Sequence, residues 1–155
     1  MRPRFLALRL GFLVVAAGSA LAFAIPRNPA PSAPPTVTVY KSATCGCCAK
    51  WIEHLQHAGF TVDAHDTDSL SDVMAAFGVP AALASCHTAK VGSYVIEGHV
   101  PADLIAQALK EHPAIAGLAV PGMVMGSPGM DGGAPQHYDV IAWTSSGQTS
   151  VYAHR

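Results

Sequence analysis

Positive charge is scarce in this chain. Its 155 residues hold 9 Lys and Arg against 10 Asp and Glu, a net charge of −1. Arg2, Arg4 and Arg9 all fall in the first ten residues; without them the balance is −1 − 3 = −4. A mildly acidic body with Arg27, Lys41, Lys50, Lys90, Lys110 and Arg155 as its cations cannot neutralise a run of phosphates, which argues against nucleic acid as a partner. Charged residues make up only 12% and aromatics 7%, yet half the chain is hydrophobic, too apolar for disorder. Beyond the N-terminus no apolar run approaches the ~20 residues of a membrane span. No P-loop, G-x-G-x-x-G or G-x-S-x-G occurs, so nucleotide binding and serine hydrolysis have no support.

What is present begins with an address. Three arginines in residues 1–10 precede the apolar run Gly11–Ala24, which ends in the A-x-A pattern of Ala22 and Ala24. Basic start, apolar middle and small-residue end are the parts of a secretory signal, with cleavage expected after Ala24. The competing reading is an uncleaved membrane anchor. Both imply export, with the bacterial periplasm as the destination. Residues 25–35, rich in Pro and Ala, read as a linker. Residues 36–155 remain for one domain.

That domain reads as α/β. Thr36–Tyr40 is β-branched and aromatic, a strand. Cys47–Ala58 turns helical, with Trp51, Leu55 and Ala58 spaced for one face and Gly59 as its stop. Phe60–His65 reads as a strand, and Ser69 or Ser71 through Phe77 as a short helix with Met74 in the core. Cys86–Val91 and Tyr94–Glu97 make a hairpin about Gly92-Ser93. Pro101 opens a helix to about Glu111. The order β-α-β-α-β-β-α is that of a thioredoxin-like mixed sheet. Gly117–Gln136, a Gly- and Pro-rich stretch carrying Met123, Met125 and Met130, is too broken for a helix or a central strand. A final hairpin, Tyr138–Trp143 with Thr149–Ala153, is expected to extend the sheet and pin this Met loop to the body.

The chemistry lies in the cysteines. All four fall in the body, and Cys45, Cys47 and Cys48 form C-G-C-C between a strand and a helix. Unpaired N–H groups and the helix dipole at that position favour thiolate. Cys45 and Cys48 have redox C-x-x-C spacing, with Cys45 as attacking thiolate and Cys48 as resolving thiol. Cys47, placed between them, is superfluous for dithiol exchange and useful for a soft cation, since thiolates suit and bridge Cu(I). Structural disulfides and a four-cysteine zinc site are the competing readings. Topology should carry Cys86 towards the other three, with His87 as a nitrogen ligand or a packed residue. Met123, Met125 and Met130 offer soft thioethers, or merely cover the site. His54 and His57 share a helix face and read as surface. His99 is either a turn residue or part of the site rim. Asp63, Asp66, Asp68 and Asp72 lack a calcium-loop pattern.

Five motifs then occur in order: V-Y-K-S-x-T-C-G-C-C (Val39–Cys48), S-C-H-T-A (Ser85–Ala89), Y-V-I-E-G-H-V-P-A (Tyr94–Ala102), G-L-A-V-P-G-M (Gly117–Met123) and G-S-P-G-M (Gly126–Met130). Over about Val37–Tyr152 the chain resembles the exported, thioredoxin-like metal-binding proteins of unknown-function type that include the CopG-like copper-resistance proteins. The resemblance implies a periplasmic role in copper homeostasis, with Cys45, Cys47, Cys48 and Cys86 holding Cu(I), and leaves an oxidoreductase role open. It also implies periplasmic copper-handling proteins as partners. Met123-Val124-Met125 departs from the Met-Pro-x expected there.

Overall fold

A computed structural model describes residues 34–155. The expected signal at 1–24 and nearly all of the linker at 25–35 lie outside these residues. Seven strands form one mixed sheet in the order β2-β1-β3-β4-β5-β6-β7. β1 (Thr36–Lys41) leads through a short turn into α1 (Gly46–His57), and β2 (Thr61–Asp66) returns parallel to β1 at the sheet edge. α2 (Leu70–Ala76) and a 3-10 turn (Ala81–Leu83) carry the chain to β3 (His87–Val91), which runs antiparallel to β1. β3 pairs with β4 (Tyr94–Glu97), and α3 (Ala102–Glu111) follows. β5 (Gly117–Ala119), β6 (Asp139–Trp143) and β7 (Thr149–His154) complete the sheet. The expected C-terminal hairpin is β6–β7, and it extends the sheet beyond β5.

Strand alternation divides the apolar residues between two faces. Val37 and Val39 of β1, Ala89 and Val91 of β3, Ile96 of β4 and Leu118 of β5 pack with Trp51 and Leu55 of α1 and with Leu104, Ile105 and Ala108 of α3. On the opposite face Val95, Ala119 and Trp143 meet Leu83, Phe77 and Val79. Each large side chain fully buried in the main core contributes roughly 1.5–3 kcal/mol. Trp51 also donates its indole N–H to the Val100 carbonyl at 2.8 Å, tying α1 to the start of α3. α1 closes with the Gly59 N–H on the Gln56 carbonyl and the Phe60 N–H on the Leu55 carbonyl, the paired bonds of a Schellman stop.

Three sequence expectations need correction. Ala58 is exposed at the end of α1, so the buried face is Cys48, Trp51 and Leu55. Met74 is half-buried on a helix that buries no residue, because α2 is short and only its C-terminal flank reaches the core. Gly117–Gln136 was expected to hold no central strand, yet its first three residues form buried β5, parallel to β4 and antiparallel to β6. Gly117 makes this possible: a Cβ there would collide with the Val95 carbonyl oxygen and the Trp143 ring. The missing side chain that weakens a strand signal is what lets this backbone fit.

Candidate metal centre

The site gathers at one end of the sheet, where three connections meet. The turn after β1 supplies Cys45, which stands at the N-cap of α1, and the first turn of α1 supplies Cys47 and Cys48. The residue before β3 is Cys86, and the residues after β4 include His99. The Cys45 and Cys47 sulfurs lie 3.6 Å apart, and those of Cys47 and Cys86 lie 4.0 Å apart. All four sulfurs fall within 4.8 Å of one another. Residues separated by 38 positions or more in sequence thus share one pocket, Cys48 Sγ standing 3.5 Å from the Cys86 carbonyl oxygen.

The four sulfurs are not equivalent. Cys45 and Cys48 are joined in a disulfide, while Cys47 and Cys86 are free and half-buried. Reduction of that bond by a thiol donor takes two electrons and two protons and makes four thiols available. The expectation of a lowered thiol pKa does not hold at Cys86. Burial first, and then the neighbouring Cys47, push it up to about 12.

Two imidazoles flank Cys86. His99 Nε2 stands 3.0 Å from the Cys86 sulfur, and its Nδ1–H donates to the Pro128 carbonyl at 2.7 Å. That bond fixes the tautomer and leaves the Nε2 lone pair facing the sulfur. Burial lowers the His99 pKa, with the Pro128 carbonyl opposing. His87 Nδ1 lies 3.5 Å from the same sulfur, and its ring packs 4.2 Å from that of Trp51. Its Nε2 is buried without a well-formed hydrogen bond. Burial, with the His99 imidazole adding to it, holds His87 down to about 3, so both rings are neutral at pH 7. Cys86, His87 and His99 form a second ligand group that shares Cys86 with the first.

Glu97 is a site residue that sequence reasoning missed. Its carboxyl is fully buried and accepts the Ser85 N–H and the Thr88 hydroxyl, each at 2.7 Å. These two residues bracket Cys86-His87, so one carboxyl ties down both ends of that dipeptide. Burial pushes Glu97 up to about 7, against its two hydrogen bonds. The signal was its place two residues before His99 in Y-V-I-E-G-H-V-P-A.

The remaining candidates fall in different places. Met125 and Met130 line a cavity with Cys47, whereas Met123 is 59% exposed and does not. His54 is not simply surface: its Nε2 accepts the Ala102 N–H at 3.1 Å and so caps α3. His57 is exposed, as expected. Asp66 pairs with Lys41 and Asp63 with His65.

The donor set fits a soft cation: closely grouped sulfurs, a neutral imidazole with an available lone pair, and no carboxylate aimed at them. Comparison with known proteins points the same way. A family model described as "Protein of unknown function, DUF411" matches residues 83–130. Two solved structures titled "Copper resistance protein copG", Form 2 and Form 1, are each 44% identical to this chain. Each match covers 79% of this chain and 98% of the other, with TM-scores of 0.75 and 0.74. No curated protein sequence matches.

Proposed function

This chain belongs to the CopG-like family of copper-resistance proteins, and on that premise we propose that it binds copper as Cu(I) through Cys45, Cys47, Cys48 and Cys86. The carrying observation is the convergence of the four sulfurs within 4.8 Å across a large sequence separation. Once the Cys45–Cys48 disulfide is reduced, each thiol gives up its proton as a sulfur–copper bond forms. A high thiol pKa at Cys86 is overcome by that bond, because a soft cation competes with the proton for the same lone pair. His99 adds a nitrogen donor beside Cys86, held in place by Pro128. His87, packed against Trp51, lines the pocket and keeps water from it.

The biological reading is copper buffering in the periplasm, with copper ions as cargo and periplasmic copper-handling proteins as partners. The basic-apolar-small pattern of residues 1–24 supports export. Among the described residues no helix is long and apolar enough to cross a membrane. The β-α-β-α-β-β-α order, with β2-β1-β3-β4 side by side, supports a thioredoxin-like core.

A second reading has its own observation: the Cys45–Cys48 disulfide has the spacing of a redox pair at a helix start. Anaerobic metal analysis of the reduced protein separates the two. Stoichiometric Cu(I), with sulfur-to-copper charge-transfer absorption lost in Cys47→Ser, is the expected result. A metal-free protein whose disulfide reductase activity survives Cys47→Ser but not Cys45→Ser would replace copper binding with thiol exchange.

A further inference from the structure

We propose that Glu97 is a positioning residue for the metal centre: its carboxyl holds the Cys86 sulfur against the His99 imidazole and so sets the affinity for copper. This deepens the copper reading above and rests on it. Glu97 belongs to neither group of candidate ligands. It acts through the backbone that carries them.

Cys86 and His87 stand at the entry to β3. Before them the Ser85 N–H donates to Glu97 Oε1, and after them the Thr88 hydroxyl donates to Oε2, each at 2.7 Å. A carboxyl is planar and offers two acceptors on one rigid frame, so these bonds fix both flanks of the dipeptide at once. Glu97 and Thr88 are fully buried, so water does not replace a lost bond. Between the flanks, the Gly98 N–H donates to the His87 carbonyl at 3.0 Å, and Cys48 Sγ stands 3.5 Å from the Cys86 carbonyl oxygen.

The frame extends to the exit of β5. The Val120 N–H donates to the Glu97 carbonyl, the Gly122 N–H to the Ala84 carbonyl, and the Ser85 hydroxyl to the Gly122 carbonyl. Further on, the chain lies against α1 at Gly129, with φ +86°; a Cβ there would come within 2.7 Å of the Cys47 carbonyl oxygen and 2.8 Å of the Trp51 nitrogen. Its neighbour Pro128 supplies the carbonyl that holds His99 Nδ1–H. The two partners thus have separate anchors, Cys86 through Glu97 and His99 through Pro128. The 3.0 Å between sulfur and Nε2 is set by both. Without the carboxyl, the Ser85 N–H and the Thr88 hydroxyl lose their acceptor. The Cys86 sulfur then samples positions away from His99, and copper must draw it back before it binds.

The test uses the full-length protein in two forms. In the metal-free, disulfide-intact form, iodoacetamide modification with peptide mass mapping reads Cys86 and Cys47 separately. Glu97→Ala should react at Cys86 at least about tenfold faster than wild type, with Cys47 unchanged as the internal reference. Glu97→Gln, which keeps an acceptor for Ser85 and a partner for Thr88, should match wild type. In the reduced form under anaerobic conditions, competition with a chromophoric Cu(I) chelator should give Glu97→Ala the wild-type copper content with a dissociation constant raised about tenfold. Glu97→Gln should restore it. In a Cys86→Ser background, Glu97→Ala should change the affinity by less than about twofold, because the sulfur through which Glu97 acts is gone. Thr88→Val, which removes one of the two bonds and leaves the other, gives the same readings should Glu97→Ala fail to fold. Unchanged Cys86 reactivity or unchanged affinity in Glu97→Ala, or an equal loss of affinity in the Cys86→Ser background, overturns the positioning role and spares the copper reading. A wild-type protein that binds no Cu(I) overturns both.

Discussion

Glu97→Gln isolates the energetics of a carboxyl buried beside the candidate centre. In the folded protein Glu97 is pushed up to about 7 from its ordinary 4.5, chiefly by burial. The folded state therefore holds a proton that the unfolded chain has released across that interval. Stability from this group is complete below pH 4.5, falls as pH rises through about 7, and is level above that. At about 1.4 kcal/mol per pH unit for one proton, the loss is at most roughly 3 kcal/mol. Gln mimics the protonated acid: its carbonyl accepts the Ser85 N–H, and its amide donates to the Thr88 hydroxyl, which rotates to accept. His87, His99 and His54, all with lowered pKa, have the opposite dependence, their contribution being lost as pH falls below about 6.5. They are present in both proteins and cancel in the difference. Urea unfolding of metal-free, disulfide-intact wild type and Glu97→Gln from pH 4.5 to 8.5 should give similar stabilities at the acid end. Above pH 7 the variant should be ahead by about 1–3 kcal/mol. A difference that is flat in pH, or one that favours the wild type as pH rises, would show that the carboxylate is held as an anion and refute the reasoning.

Three other outcomes follow from contacts described above. His99→Gln should raise the Cu(I) dissociation constant by about tenfold or more without changing copper content, read by chelator competition; unchanged affinity removes His99 from the ligand set. Gly129→Ala forces a Cβ against α1 at positive φ and should cost about 1–3 kcal/mol in unfolding free energy; an unperturbed variant would mean that the loop does not rest on the helix. Trp51→Phe leaves the Val100 carbonyl without its buried donor and opens space beside His87, for a loss of about 2–4 kcal/mol by denaturant titration.

Much of the fold was legible because its elements carry local signals. The alternation of Thr36–Tyr40, the apolar spacing of Trp51 and Leu55, and the Gly92-Ser93 turn each specify their element without distant help. β5 was not legible: three residues are too few for periodicity, and Gly117 fits only because of what Val95 and Trp143 place against it. The gathering of the four sulfurs could be anticipated from the order of strands and helices. The Cys45–Cys48 bond could be anticipated only as one of several pairings, because spacing permits a disulfide without selecting it. His99 escaped a firm role because its tautomer is set by Pro128, 29 residues away. The raised pKa of Cys86 was hidden for a similar reason: burial depends on everything packed around it, whereas the dipole argument considers one helix end.

Cys86 enters and His99 leaves the same end of the β3–β4 hairpin, where Thr88 and Glu97 stand opposite each other in the ladder. The spacing between sulfur and imidazole is thus measured out by paired strands and not by a loop's fluctuations. The opposite tip, Gly92-Ser93, is solvent-exposed and separated from the ligands by the whole ladder. A fluorophore or affinity tag grafted at that tip would report on the molecule while leaving its metal grip untouched, which makes the hairpin a natural handle for following copper traffic in living cells.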